Sequence, residues 1–272
     1  MNLKERFFAD GKVDDCPIFD MHGHWGEFYG GALPYASIEN AKMHFDASGV
    51  RLLVFCHHDA LMSGDITNQI NEEAVALWPE RMRAYCGINP HYQDRIKHDL
   101  ATFDSRRNSF VGFKLLADYH QVGVEDDRFK EVWEFADANK LPVLMHTWAG
   151  SIYDGFENVK AVCERYPNAQ KLLGHSIHSD ANAAITLATE YQNVYLELCA
   201  ILDERGVVEQ FVERAGSDKI VYGTDYPWFS EHYYTGALLG AGLCDNDIRN
   251  ILYRNAQRIL KGLVPEDFIS TP

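Results

Sequence analysis

The sequence predicts that residues 1–272 form one domain with the fold of a (β/α)8 barrel. Eight short apolar runs rich in β-forming residues alternate with stretches that have the spacing of amphipathic helices. Successive runs begin about 22 to 33 residues apart, which is the length of one strand and helix unit in a parallel sheet with right-handed crossovers. No segment rich in Pro, Gly and Ser divides the chain. A doubly wound open sheet is the alternative that the same alternation allows.

The predicted strands are short runs dominated by apolar residues that favour β structure, such as RLLVFC over residues 51–56. In chain order they cover residues 18–24, 51–56, 83–89, 110–116, 141–146, 171–175, 193–199 and 219–225.

The predicted helices lie between these strands and after the last one. Val132, Trp133 and Ala136 belong to an apolar stripe at helical spacing, and Pro167 supplies a stop signal after the fifth helix. In chain order the helices cover residues 38–47, 67–77, 95–103, 128–139, 156–166, 181–190, 206–215 and 245–260.

The composition excludes several classes of partner. There are 25 Lys and Arg against 40 Asp and Glu, which gives a formal net charge of -15 at pH 7. A surface of this charge repels phosphate backbones and anionic membranes, so we expect neither nucleic acid nor a membrane as partner. No apolar run approaches the roughly 20 residues of a membrane-spanning helix, and the sequence begins without an apolar signal segment. We therefore expect a cytoplasmic protein.

The six cysteines are spread singly and contain no CxxC pair. This spacing favours reduced, mostly buried thiols over a disulfide framework. They are Cys16, Cys56, Cys86, Cys163, Cys199 and Cys244.

Polar residues close four of the predicted strands. In a (β/α)8 barrel the carboxyl ends of the strands meet on one face, so such residues are candidates for a functional site. The first strand ends in His22 and His24, which point to the same side because strand side chains alternate. His146 closes the fifth strand, His175 the sixth and Asp225 the eighth. Four histidines and an aspartate predict a site for Zn2+ or a similar divalent ion with an open coordination position.

The residues around these strand ends form a set of motifs, which are DMHGH (20–24), PVLMH (142–146), LGH (173–175), GTDYP (223–227) and a closing helix NILYRNAQRIL (250–260). With them the sequence resembles the metal-dependent amidohydrolase superfamily, and more closely its amidohydrolase-related branch of aminocarboxymuconate-semialdehyde decarboxylase-like enzymes. The resemblance covers about residues 17–260. It implies a metal-dependent barrel enzyme but does not specify the substrate.

The resemblance assigns roles to the residues at the strand ends. It implies that His22, His24 and His146 hold a metal ion, with Asp225 as a ligand or as the proton acceptor. His175 would be a second metal ligand in a binuclear site, or an acid, a base or a carbonyl-polarising residue in a mononuclear one. A bound ion lowers the pKa of its water from about 15.7 to near 7. Asp225 would take the proton of that water and pass it to the leaving group.

The expected cofactor is a divalent metal, with Zn2+ preferred and Mn2+, Fe2+ or Co2+ as alternatives. The number of ions depends on Lys114, which lies on the fourth predicted strand. In binuclear relatives a lysine on this strand is carbamylated and bridges two ions. In mononuclear relatives of this branch the lysine is free to hold an anionic substrate, and we favour one ion. A third interpretation of Lys114 is a structural one, in which its aliphatic stem is packed in the barrel and its amine reaches the barrel mouth.

Several further residues follow the strands and are weaker candidates. We expect substrate contacts from His120, Trp148 and His178, with Lys114 as a substrate-binding residue in the mononuclear case. A surface or helix-entry role is expected for the loop histidines His57, His58 and His91, and no site role for His44, His98 and His232, which fall in helix-like stretches.

Three other side chains have two interpretations each. Glu197 near the end of the seventh strand could orient a ligand histidine or pair with a lysine. Trp228 and Phe229 could form an apolar wall of a pocket or pack against the eighth strand.

The leading hypothesis is a metal-dependent hydrolase that cleaves an ester, lactone or amide of a small molecule. The alternative is a metal-dependent lyase, either a nonoxidative decarboxylase or a hydratase of an unsaturated or aromatic acid. A barrel that binds a ligand without catalysis is disfavoured, because the ligand set is complete. A small-molecule substrate is the expected partner, and pairing as a homodimer is compatible with the sequence.

Overall fold

The computed structural model describes residues 1–26, 33, 36–63, 66–202 and 204–270, and its central feature is a sheet of eight parallel strands. Each strand pairs with the next one in the chain, in the order β1 to β8. The strands are β1 (Ile18–Trp25), β2 (Val50–His57), β3 (Met82–Ile88), β4 (Phe110–Leu115), β5 (Pro142–Trp148), β6 (Gln170–His178), β7 (Val194–Glu197) and β8 (Ile220–Val221). Sequential order excludes the doubly wound alternative, in which the strand order reverses.

The sheet closes on itself where β1 meets the segment after β8. The amide of Met21 donates to the carbonyl of Tyr222 at 2.9 Å, and the amide of Asp225 donates to the carbonyl of His22 at 2.7 Å. The result is a nearly closed (β/α)8 barrel, as the sequence predicted. Closure brings residues from the two ends of the chain into one site.

Helices lie before β1, between successive strands and after β8. They are α1 (Leu3–Asp10), α2 (Ile38–Ser48), α3 (His58–Met62), α4 (Gln69–Leu77), α5 (Gln93–Thr102), α6 (Ala117–His120), α7 (Lys130–Asn139), α8 (Phe156–Arg165), α9 (Ala181–Glu190), α10 (Val207–Ala215), α11 (Glu231–Gly240), α12 (Asp245–Arg249), α13 (Asn255–Leu260) and α14 (Glu266–Ile269). Among the described residues, no helix is both long and apolar enough to cross a membrane.

The structure differs from the sequence prediction mainly at its two ends and at the barrel mouth. The predicted helix 245–260 is divided, because a π-helical turn, Asn250–Arg254, joins α12 to α13. The predicted strand 219–225 keeps regular pairing only over β8, because the amide of Tyr222 donates instead to Ile251 and that of Thr224 to Asp20. The short helices α3 and α6 directly follow β2 and β4 and were not predicted, and neither were α1, α11 and α14.

Tight packing between β4 and β5 gives a test of the fold. A Cβ atom at Gly112 would lie 2.0 Å from the backbone oxygen of Pro142, so the two strands could not keep their spacing. We expect Gly112→Ala to lower the free energy of unfolding by about 1–3 kcal/mol, measured by urea denaturation. Gly236→Ala in α11 is the control, because nothing lies within 4 Å of its Cβ position and alanine favours helix. Equal stability of both variants would contradict this packing.

Candidate metal centre

Two histidines of β1 and the aspartate after β8 meet at the mouth of the barrel. His22 and His24 are both buried, with 0% and 6% exposure. Their Nε2 atoms lie 3.4 Å and 3.0 Å, respectively, from Oδ1 of Asp225. The three side chains therefore direct two ring nitrogens and one carboxylate oxygen at a common point.

His146 and His175 complete the ring of side chains around this point. The ring centroids of His175 and His22 are 5.1 Å apart, and those of His175 and His146 are 4.9 Å apart. Both residues are at least nine-tenths buried and line the same cavity. The structure thus brings together all five residues that the sequence placed at the strand ends.

The outer nitrogens of three histidines face oxygen acceptors. Nδ1 of His22 lies 2.9 Å from Glu197, Nδ1 of His146 lies 2.8 Å from Asp154, and Nδ1 of His24 lies 3.2 Å from the carbonyl of Cys56. An Nδ1–H donated to an oxygen leaves Nε2 as the lone-pair nitrogen. This arrangement orients metal-binding histidines in proteins, so the residues present fit a divalent ion.

The charge state of the site also fits a metal. Burial, and then Lys114, lower the pKa of His22 well below its usual value, so its ring is neutral and able to act as a ligand. Burial, followed by His22, lowers the pKa of His175 to about 3.

Glu197 at the end of β7 connects the ring of His22 to two backbone amides through hydrogen bonds. Its Oε2 accepts from the ring of His22 and, at 3.0 Å, from the amide of His175, while Oε1 accepts from the amide of Cys199 at 2.6 Å. Burial raises its pKa to about 7, although His175 and these hydrogen bonds act in the opposite direction. Because its oxygens are already engaged, Glu197 positions ligands rather than serving as one.

The segment that carries His175 has an unusual backbone. His175, Ser176 and Ile177 all have positive φ angles, of 66°, 45° and 50°. A β-branched residue such as Ile177 rarely adopts this conformation, so neighbouring strands must hold it. The amide of Ile177 donates to Thr147 and the hydroxyl of Ser176 donates to the carbonyl of Glu197, both at 2.8 Å. Strain of this kind is typical of functional sites.

Lys114 of β4 reaches the same point from the opposite side. Its Nζ lies 2.8 Å from Nε2 of His22, and the residue is 1% exposed. Burial lowers its pKa, while Asp225 and Glu197 partly offset that effect.

A cavity of about 440 Å³ opens in front of these residues. Its walls are mostly apolar, with Met62, Leu116, Trp148, Trp228 and Phe229 beside the phenol of Tyr119. The cavity is also lined by six polar side chains, which are those of His24, His58, Lys114, His146, His175 and Asp225. An apolar cleft with a few convergent polar groups is the usual form of a small-molecule site.

Not every expected substrate contact lines this cavity. Trp148 does, and its ring stacks against His146 at 5.8 Å. His120 does not, because α6 turns back and places its Nε2 2.9 Å from the carbonyl of Leu61. His178 also lies outside the lining, with Nδ1 3.1 Å from Glu204. Both side chains lie beside the cavity, His178 with its ring 4.2 Å from that of Trp148, and their substrate contacts stay predictions.

No role in the site was predicted from the sequence for two of its contributors. Asp154 is fully buried and contacts His146, but it lies in a loop eight residues further along, where no periodicity marks it. His58 begins α3, as expected of a helix-entry residue, yet it also stacks on His24 with centroids 4.4 Å apart. Its Nε2 accepts from the indole of Trp228 at 3.0 Å, which connects a metal-ligand candidate to the cavity wall.

The contact between His146 and Asp154 predicts a role in metal affinity. Replacing Asp154 by asparagine removes the charge that orients and polarises the imidazole, so we expect metal affinity to fall by about 10- to 100-fold. Titration against a chelator would measure it. Asp137→Asn is the matched control, because this aspartate caps a surface loop through Asn168. Unchanged affinity in Asp154→Asn would show that His146 does not depend on this partner.

Comparison with known proteins was made for the sequence and for the fold. A family model described as amidohydrolase matches residues 19–262. A search of curated proteins found no match.

Many solved structures share the fold. A 2,6-dihydroxybenzoate decarboxylase aligns with 15% identity over 90% of this chain and 98% of its own, with a TM-score of 0.72. A probable 2-pyrone-4,6-dicarboxylic acid hydrolase from Acinetobacter baumannii has 13% identity over 90% and 99%, with a TM-score of 0.69. A dihydroxybenzoic acid decarboxylase from Polaromonas with bound manganese has 15% identity over 92% and 99%, with a TM-score of 0.63. At these identities the likeness shows the fold alone.

Proposed function

This chain belongs to the amidohydrolase family, and from that membership we propose that it is a metal-dependent enzyme that hydrolyses an ester, lactone or amide bond of a small molecule. One observation carries the proposal. The Nε2 atoms of His22 and His24 converge within 3.4 Å of the carboxylate of Asp225, at the edge of an apolar cavity. That set suits activation of water beside a group able to accept its proton.

The proposed ligands are His22, His24, His146 and Asp225, and we favour one ion. Three imidazoles and one carboxylate suit Zn2+ and also accept Mn2+, Fe2+ or Co2+. The manganese of the Polaromonas decarboxylase is consistent with a divalent ion in a barrel of this fold. Zn2+ remains our first choice.

A bound divalent ion would supply a Lewis acid that activates water and polarises the scissile carbonyl. Asp225 takes the proton of the attacking water on its carboxylate and returns it to the leaving group. His175 has a neutral ring and stands beside both His22 and His146, where it can donate a hydrogen bond to the substrate oxygen as negative charge develops there. Trp148, Trp228 and Phe229 form apolar parts of the cavity wall beside the reacting atoms.

A second candidate is nonoxidative decarboxylation of a small aromatic acid. Four aromatic side chains in the cavity lining, those of Tyr119, Trp148, Trp228 and Phe229, favour a flat substrate. Lys114 is the one lysine or arginine among the described residues that line the cavity. A buried cation in such a cavity favours an anionic substrate group. Two of the compared proteins act, according to their names, on aromatic acids.

The two reactions can be distinguished by their products. The zinc-loaded and manganese-loaded proteins would be incubated with lactones, esters, amides, hydroxybenzoates and 2-pyrone-4,6-dicarboxylate, and products followed by mass spectrometry in H218O. Incorporation of 18O into a new carboxylate supports hydrolysis, whereas release of carbon dioxide with loss of a carboxylate supports the second candidate. Absence of turnover across this panel with either metal would count against both.

A further inference from the structure

The nitrogen of His22 that is proposed to bind the metal already has a partner in the chain. Nδ1 of His22 lies 2.9 Å from a carboxylate oxygen of Glu197, so the ring proton resides there and Nε2 presents a lone pair. Nζ of Lys114 lies 2.8 Å from that Nε2 and is its hydrogen-bond donor. A single sp² lone pair serves either a hydrogen bond or a coordinate bond, but not both.

We propose that Lys114 and the metal ion compete for Nε2 of His22, and that loading of the metal moves the Lys114 amine into the cavity, where it binds an anionic group of the substrate. This inference rests on the proposed metal site. According to this proposal, Lys114 is not a metal ligand, and its amine has one position without the metal and another with it. The anion subsite then forms only when the metal is bound.

The surroundings of Lys114 determine where the displaced amine goes. Its side chain is enclosed by the barrel at 1% exposure, and it lines the 440 Å³ cavity, which offers space for the displaced amine. Among the described residues that line this cavity, Asp225 is the one carboxylate, and it is committed to the metal site. A buried amine without a partner is costly, so a carboxylate or similar anion of the substrate completes the subsite. Metal and substrate anion therefore favour each other's binding.

Metal affinity gives the first test. Lys114→Met keeps the apolar stem but removes the donor, so zinc no longer has to displace a hydrogen bond. We expect the variant to bind zinc about tenfold more tightly than the wild type in a chelator competition. Lys171→Met is the matched control, because Lys171 is equally buried, at 1% exposure, on β6 but donates to Tyr166. Lys114→Gln, also without an ammonium group, is measured in case the methionine variant does not fold.

The position of the amine gives the second test. Wild-type protein is labelled briefly with cyanate, with and without zinc, and the modified lysines are quantified by peptide mass spectrometry. We expect labelling of Lys114 to rise severalfold on zinc loading, while that of Lys171 stays constant. Labelling of Lys114 that does not change on zinc loading would overturn the movement of the amine.

Each contrary result has a different meaning. Zinc binding that is equal in the wild type and in both Lys114 variants would overturn the competition but leave the proposed metal site intact. Two zinc ions per chain, falling in the Lys114 variants, would also overturn it, because Lys114 would then contribute to metal binding. Failure of the wild type to bind zinc, manganese, iron or cobalt would overturn the proposed function together with this inference.

Discussion

Replacing Asp225 by asparagine is expected to reduce turnover by about 10³-fold while the protein keeps its fold and most of its metal, because the amide cannot accept the proton of the attacking water. The substitution suits the backbone. Asp225 has a φ of 62°, a left-handed conformation that asparagine tolerates better than other non-glycine residues. The amide oxygen of asparagine can still face His24, whose Nε2 lies 3.0 Å from the carboxylate. The rate constant and the metal content of the same preparation would be measured together.

A matched control tests whether the loss of turnover requires removal of the carboxylate at the site or follows removal of a carboxylate elsewhere in the chain. Asp180 caps α9 by accepting a hydrogen bond from the amide of Ala183, outside the cavity, and asparagine is an equally good cap. Asp180→Asn should therefore retain the wild-type rate. Should Asp225→Asn turn over substrate as fast as this control, proton transfer must use another group, and the assignment of Asp225 as acceptor would be wrong.

The sequence was sufficient for the ligand candidates because their signals are local. His22 and His24 are two positions apart on one strand, and strand alternation alone places them on one side. Parallel order then brings β5, β6 and the end of β8 to the same face, so His146, His175 and Asp225 follow from the fold class. The structure adds their distances and burial, which a sequence pattern does not contain.

The side-chain positions that the sequence could not predict belong to residues in loops. Asp154 and His120 both lie in connections after strands, where side-chain direction depends on tertiary packing rather than on a period. The loop after β5 brings the carboxylate of Asp154 into contact with His146. By contrast, α6 directs His120 away from the cavity and toward the carbonyl of Leu61 in α3. The short length of β8 has the same origin, since Thr224 bonds to Asp20 on β1 instead of extending the strand pairing.

Replacing His22 by alanine should have the largest effect on metal binding. The change removes a ligand nitrogen and also leaves Lys114 and Glu197 without their shared partner in a fully buried position. Metal content is expected to fall from about one ion per chain to near zero, since a structural pocket with one ligand fewer cannot compete with a chelator. Turnover should be lost with it, and the free energy of unfolding should fall by about 3 kcal/mol, because a buried charge is left unpaired.

Loss of stability alone must be distinguished from loss of the ligand. His44→Ala offers the comparison, because His44 is a buried histidine of α2 in contact with the buried carboxylate of Glu231, outside the described cavity lining. It should destabilise the fold to a similar degree yet keep about one metal ion per folded chain, measured by elemental analysis after gel filtration. Equal metal contents in the two variants would mean that the ion does not depend on His22. The set of His22, His24, His146 and Asp225 would then have to be abandoned as the metal site, because His22 is one of its proposed ligands.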